Sequence, residues 1–285
     1  MMPKEPSIRS SLSPYLREQT ARVEAALGEF LPLESQHPAA LHEAMRYAVL
    51  NGGKRIRPLL TLAVCDMFQG DRAAAIIPAC SVELIHCYSL IHDDLPFLDN
   101  DDFRRGKPTC HKKYGEAIAL LAGDGLLALA FQILSRLRDE HKALRIVAEL
   151  SQAAGTLGMV GGQAMELAQT SEEMDLPTLD AIHINKTGQL IKASCVAGAV
   201  TASASLEEEN RIRKFGEYLG FAFQIVDDIL DGDGYVRFMS VHEARGKVAE
   251  VIQKAEEQIS RFKQNEPLLQ LVRLILNRGQ QEGSS

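Results

Sequence analysis

Apolar residues recur at three- and four-residue spacing along almost the whole chain: Leu12, Leu16, Val23 and Leu27 in the first segment, Val248, Ile252, Ile259 and Phe262 towards the other end. That spacing is one face of an α-helix, and the alternating β-branched runs that mark strands are missing. Breakers separate the periodic segments at Pro32 and Pro38, Asn51-Gly52-Gly53, Gly70-Asp71, Pro96, Gly106 to Pro108, Pro177, Gly232 to Gly234, and Pro267. The pattern predicts an all-α bundle of about ten helices, because connections this short suit antiparallel neighbours. Segments 73–94, 117–138 and 207–231 read as apolar around most of their circumference, as central helices do. No linker interrupts the pattern, so residues 1–285 read as one domain.

Composition narrows the picture. Lys and Arg number 31 against 38 Asp and Glu, a net charge of −7, which is the wrong sign for a protein that grips nucleic acid. Hydrophobic residues make up 46%, enough for a large core. The longest apolar stretch, Ala117 to Phe131, is broken by Gly123-Asp124-Gly125 and falls short of a bilayer span. The N-terminal Met1-Met2-Pro3-Lys4-Glu5-Pro6 carries no apolar signal core, so a cytoplasmic location is expected. Five scattered cysteines (Cys65, Cys80, Cys87, Cys110, Cys195) read as buried thiols rather than a disulfide or zinc framework.

The negative charge is concentrated. Residues 93–102 hold five aspartates and 227–233 hold four, with no base in either, leaving 29 acids against 31 bases elsewhere. The clusters are Asp93-Asp94-Leu95-Pro96-Phe97-Leu98-Asp99 and Asp227-Asp228-Ile229-Leu230-Asp231, each ending an apolar run. Aspartates there face the unfavourable end of the helix dipole and repel one another, so two such clusters call for a cation. Asp227 and Asp231 lie four apart, about 40° around a helix, and share a face with Gln224. Asp99 lies six residues from Asp93 and would be rotated about 240° on a straight helix. Pro96 is expected to end the helix and let the chain bulge, returning Asp99 to Asp93. Hard oxygen ligands with few other donors suit Mg²⁺, which keeps waters and is shared with substrate phosphates. Carboxylates facing one another across a bundle would make a diphosphate site. Two basic runs fit such a ligand: Gly52-Gly53-Lys54-Arg55-Ile56-Arg57-Pro58 places three cations in one loop and helix start, and Arg104-Arg105-Gly106-Lys107 three more.

At this point the chain resembles the trans-isoprenyl diphosphate synthases, and within them the bacterial farnesyl diphosphate synthases (geranyltranstransferases) most closely. The resemblance rests on Gly53-Lys54-Arg55-Ile56-Arg57-Pro58, on Glu83 to Asp94, on Asp102-Phe103-Arg104-Arg105-Gly106, Leu121-Ala122-Gly123-Asp124, Gly161-Gly162-Gln163, Lys186-Thr187-Gly188, and on Phe223 to Asp231. It implies the isoprenoid synthase fold, a helical bundle with a central cavity, and a homodimer. It implies that Asp93, Asp99 and Asp227 ligate magnesium, three ions per site once diphosphate is bound, with Asp94, Asp228 and Asp231 completing the acidic walls. Arg104, Lys186, Thr187 and Gln224 would hold the allylic diphosphate, the last three also serving catalysis. Lys54, Arg57, His86 and Arg105 would hold isopentenyl diphosphate. Tyr88, five residues before Asp93 and thus about 7.5 Å deeper along the helix, would floor the pocket for the growing chain. With the two-residue expansion containing Pro96, it resembles the bacterial fifteen-carbon pattern. The implied reaction condenses isopentenyl diphosphate with dimethylallyl or geranyl diphosphate.

One segment departs from the resemblance. After Asp231 the family continues through a flexible loop with lysines, one of which touches the allylic diphosphate; here Gly232-Asp233-Gly234 runs straight into Tyr235, shorter by roughly twenty residues, well beyond a usual connection. That shortening near 232–235 keeps a catalytically impaired regulatory subunit as an alternative, beside a synthase of another chain length such as geranylgeranyl, and a class I terpene cyclase.

Overall fold

The computed structural model describes residues 13–169 and 174–278; Leu12 and the Met1–Pro6 stretch lie outside the described residues. The chain is all-α. Its helices are α1 (Pro14–Phe30), α2 (Ala39–Leu50), α3 (Ile56–Met67), α4 (Arg72–Asp93), α5 (Cys110–Tyr114), α6 (Glu116–Leu134), α7 (Glu140–Ala154) and α8 (Met159–Leu167). There follow α9 (Leu176–His183), which runs through a π-helical turn (Ile184–Gly188) into α10 (Gln189–Thr201), then α11 (Leu206–Asp231), a 3₁₀ turn (Gly234–Arg237), α12 (Val241–Ile259) and α13 (Glu266–Arg278). Among the described residues the only strands are the two-residue β1 (Phe103–Arg104) and β2 (Lys107–Pro108), paired antiparallel.

The helix ends follow from local chemistry. Ser13 Oγ accepts from Leu16 N–H at the start of α1, and Asp175 from Thr178 N–H at the start of α9, each with a proline in the first turn. Ser205 with Glu208, and Ser240 with Glu243, close full capping boxes on α11 and α12. Gly232, at φ 68° and ψ 27°, caps the C-terminus of α11 in the left-handed conformation that glycine adopts without steric cost.

The elements group into two compact units. One holds the chain to Leu59 together with Ile76–Ala143; the other holds Leu60–Ala75 and the chain from Leu144. In the first unit α2 packs on α1, α5 and α6. Helix α4 is buried nearly all round, at Ala79, Val82, Leu84, Ile85, Cys87, Tyr88 and Ile91, and Ser81 Oγ ties it to the Ala130 carbonyl of α6 at 2.8 Å. By length and composition α4 and α6 are each apolar enough to cross a membrane, and the burial of α4 inside its unit accounts for its own apolar character. In the second unit α11 packs between α10 and α12, and Thr61 Oγ1 donates to the Ser194 carbonyl at 2.8 Å.

Two expectations need correction. Helix α6 stops at Leu134 rather than running to 138, with Ser135 turning the chain by bonding Gln132 and Ile133 carbonyls. Helix α11 is amphipathic, not apolar all round: Ile212, Phe215, Leu219, Ala222 and Val226 form one buried stripe, and its first turn carries Glu207, Glu208 and Glu209.

Candidate active site

In the first unit the site residues hang on α4 and on the turn and hairpin that follow it. Helix α4 stops at Asp93, and the chain doubles back so that Asp99 N–H donates to the Asp93 carbonyl at 2.8 Å, while Asn100 N–H donates to the Leu95 carbonyl at 3.2 Å. The return of Asp99 to Asp93 expected from Pro96 is therefore present in the backbone. Asp93 is half-buried and Asp99 exposed.

The β1–β2 hairpin turns through Arg105 (φ 54°) and Gly106 (φ 72°), the positive-φ pair that a two-residue loop requires. Thr109 fastens its base, donating Oγ1 to the Asp101 carbonyl at 2.8 Å and N–H to the Asp102 carbonyl at 3.0 Å. The two arginines diverge. Arg104 donates Nε to Asp94 Oδ1 at 2.7 Å, and its Nη2 lies 2.6 Å from the same oxygen and 3.4 Å from Asp101. Arg105 bonds the Gly52 carbonyl, and a Cβ on Gly53 would meet its guanidinium at 2.8 Å. Asp94, 3% exposed, thus grips the arginine expected to hold the allylic diphosphate, a job other than the acidic wall expected for it. Asp94→Asn should raise KM for the allylic substrate by about tenfold, the size of one charge-assisted hydrogen bond of about 1.5 kcal/mol. Steady-state kinetics with both substrates checks this, and an unchanged allylic KM would refute it.

His86 is the electrostatic focus of this half. Burial, then the charges of Arg57, Arg105, Arg55 and Arg104, hold its pKa well below the ordinary histidine value. The imidazole is therefore neutral at physiological pH, and four guanidinium groups act on one spot. That field suits a multiply charged anion. Lys54, on the loop before α3, and Arg57, in the first turn of α3, are half-buried, but Arg55 is not available beside them. It is buried and paired with Glu83 at 2.6 Å, so the expectation of three cations in this loop reduces to two. Tyr88 is 5% exposed, with a hydroxyl buried away from any hydrogen-bond partner; burial and the Asp93 charge push it up to about 12. The tyrosine therefore stays protonated and bulky directly below the first aspartate motif.

In the second unit Lys186 and Thr187 sit in the π turn, where Gln189 N–H reaches back five residues to Ile184 O. Such single-turn bulges displace backbone from the helical ladder and mark functional sites in many helices. Lys186 is paired with Glu166 of α8, a partner that a phosphate oxygen would have to displace. Neighbouring elements meet this turn at glycines: a Cβ on Gly162 would lie 2.3 Å from Lys186 N, and one on Gly220 2.8 Å from Gly188 Cα. Gln224, Asp227, Asp228 and Asp231 follow on the last turns of α11, all but the exposed Asp231 half-buried.

The end of α11 concentrates negative charge. Its last turn carries no basic residue. Burial, and then Asp227, Asp231 and Asp233, push Asp228 up to about 8. The imidazole of His183, with Nε2 3.5 Å from Asp228 Oδ1, is itself held down to about 4 by burial and Lys186. A divalent cation fits such a donor set. Among the described residues no three His, Cys, Asp or Glu side chains are gathered closely enough to hold an ion alone, so these carboxylates suit an ion that completes its shell with water and phosphate oxygens.

The segment after α11 is ordered by Tyr235. Its N–H donates to Asp228 Oδ2 at 2.9 Å, its hydroxyl bonds Asp180, and its ring, 0% exposed, stacks on His183 at 5.8 Å between centroids. Of these partners, Asp228 belongs to the second aspartate motif read from the sequence, whereas Asp180 and His183 were not singled out there. Glu83, a lone charge within the apolar run Val82 to Ile85, carried a readable signal, since such a charge needs a buried partner.

The polyprenyl synthetase family model matches residues 38–249. The chain belongs to this family. Among its relatives, a geranylgeranyl pyrophosphate synthase of Arabidopsis thaliana is 40% identical, over 93% of this chain and 77% of that one. A farnesyl diphosphate synthase of Geobacillus stearothermophilus is 46% identical, over 79% and 76%. Among solved structures, an apo FPP/GFPP synthase of Zymomonas mobilis superposes with a TM-score of 0.89 at 38% identity, covering 94% of this chain and 99% of that one. As a polyprenyl synthetase the chain is a trans-prenyltransferase. Its relatives carry both farnesyl and geranylgeranyl names.

Proposed function

We propose that this polyprenyl synthetase condenses isopentenyl diphosphate with dimethylallyl and then geranyl diphosphate, and releases farnesyl diphosphate. The observation that carries the chain length is Tyr88, buried about one and a half turns below Asp93. Asp93, Asp99 and Asp227 are the magnesium ligands, and Arg104, Lys186, Thr187 and Gln224 bind the allylic diphosphate. Lys54, Arg57, His86 and Arg105 bind isopentenyl diphosphate, a role supported by the convergence of arginine charge on a neutral His86.

Magnesium, when bound, draws charge onto the allylic diphosphate and makes it a better leaving group. Arg104 and Lys186 take up the same charge as the allylic C–O bond breaks and the diphosphate departs with the electron pair. Thr187 and Gln224 present oxygen dipoles to the carbocation left behind. The isopentenyl π electrons form the new C–C bond, and the departing diphosphate takes the proton lost from the adjacent carbon. No side-chain nucleophile is required. The five buried cysteines, none of them in a disulfide, support a reducing compartment, for which we propose the cytoplasm.

Incubation with Mg²⁺, isopentenyl diphosphate and either allylic substrate, followed by chromatography of the dephosphorylated products, tests the reading; a fifteen-carbon product supports it and a twenty-carbon product overturns it. Tyr88→Ala should lengthen the product by at least one five-carbon unit, and an unchanged product would remove Tyr88 as the floor.

One observation favours a second reading, that of a weak catalyst. The connection after α11 closes in a 3₁₀ turn held by Tyr235 and lacks the lysine-bearing loop of the family. Slow turnover with retained magnesium binding is the result expected if that loop closes the site during catalysis.

A further inference from the structure

Arg55 lies in the middle of the Gly53-to-Pro58 motif, yet it turns inward where Lys54 and Arg57 stay half-buried. Its Nη1 donates to Glu83 Oε1 at 2.6 Å and its Nη2 to the Val49 carbonyl at 2.6 Å. Its own carbonyl accepts from Leu59 N–H at 3.0 Å. One residue therefore joins the last turn of α2, the first turn of α3 and the middle of α4. The pair is almost wholly out of water, with side chains 0% and 2% exposed.

The backbone at this point is demanding. Gly52 and Gly53 take φ of 86° and 135°, and Arg55, which is not glycine, takes 51°. A left-handed non-glycine residue persists where its surroundings over-determine it. Two short hydrogen bonds from a planar fork do so in a way that a flexible ammonium cannot.

Stability alone does not account for an ion pair here, because an apolar pair of similar volume serves a core as well or better. What the fork adds is direction. Glu83 stands one turn before His86 on α4, and Arg55 lies directly between Lys54 and the residue preceding Arg57. We infer that the buried Arg55–Glu83 pair is a positioning device for the isopentenyl diphosphate pocket, locking the loop that bears Lys54 and the start of α3 that bears Arg57 to the stretch of α4 that bears His86. This rests on the pocket assigned under the proposed function.

The test uses the full chain with two variants, Arg55→Lys, which keeps the charge and loses the fork, and the double replacement Arg55→Met with Glu83→Met, which removes the pair without leaving a lone buried charge. Thermal unfolding, calorimetric binding of isopentenyl diphosphate and steady-state kinetics with both substrates are measured. Both variants should remain folded and raise Kd and KM for isopentenyl diphosphate by about 10- to 100-fold, the cost of a displacement of about 1 Å in a site, with the allylic KM within about twofold of wild type. If the double variant does not fold, Arg55→Lys alone decides. A wild-type isopentenyl KM in the folded variants overturns the inference, as does a parallel rise in both KM values, which is what general loosening would produce. Failure of the wild-type protein to bind isopentenyl diphosphate would instead bring down the pocket assignment itself.

Discussion

Replacing Asp93 or Asp227 by alanine should lower kcat for prenyl transfer by about 10³-fold or more, because loss of about 4 kcal/mol of charge stabilisation at the leaving diphosphate is worth three powers of ten. The sign of the stability change separates this role from a structural one. Both aspartates sit at helix C-termini, beside other carboxylates, in the unfavourable end of the dipole. Burial and three neighbouring aspartates already push Asp228 up to about 8, so removing the Asp227 charge relieves repulsion. The variants should melt at or above the wild-type temperature while losing turnover. Kinetics at saturating Mg²⁺ beside a thermal melt makes the comparison. Turnover within tenfold of wild type in Asp227→Ala would remove the second motif from the metal site, whereas a large fall in melting temperature would make these residues structural.

Gly162→Ala should damage both the fold and one substrate site. The added Cβ would lie 2.3 Å from the backbone nitrogen of Lys186 and 2.7 Å from its Cα, so no rotamer change relieves the clash and helix α8 must move off the π turn. Overpacking of this kind costs about 1–3 kcal/mol, which in a chain of this size lowers Tm by about 2–4 °C per kcal/mol. Because Lys186 and Thr187 ride on the displaced turn, KM for the allylic substrate should rise while that for isopentenyl diphosphate holds. Gly28→Ala is the matched control: it lies within α1 with nothing inside 4 Å of the added Cβ, and helix propensity makes that change neutral or stabilising by up to about 1 kcal/mol. Equal melting temperatures for the two variants would contradict the packing account.

Much of this was legible in the chain because helices advertise their period. The all-α architecture followed from spacing, and the bend at Pro96 followed from a rotation that a straight helix could not absorb. The Asp99 N–H, 2.8 Å from the Asp93 carbonyl, closes that bend. The π turn was not legible, since nothing in Ile184-Asn185-Lys186-Thr187-Gly188 distinguishes an i+5 bond from an i+4 one; packing of Gly162 and Gly220 against the turn decides it. Nor was the fate of each charge. Arg55 and Arg57 are two residues apart in one motif, and only tertiary contact sends the first to Glu83. Asp94 and Asp93 are adjacent, yet the first binds Arg104 because consecutive residues leave a helix end in different directions. The amphipathic character of α11 is hidden in the sequence because its apolar later turns outweigh Glu207 to Glu209 at the start.

The stretch from Gly232 to Ser240 bears on engineering. Gly232 terminates α11 by its own conformation, and Ser240 opens α12 with a complete capping box, so neither helix depends on the length of chain strung between them. Tyr235 anchors that stretch through Asp228 and Asp180, and the Asp233 N–H bonds the Asp228 carbonyl at 3.2 Å. The position just after Gly232 is therefore a natural splice point. Longer inserts of differing length and charge can be grafted there as interchangeable cassettes, leaving the carboxylates upstream in register and the tyrosine anchor downstream intact.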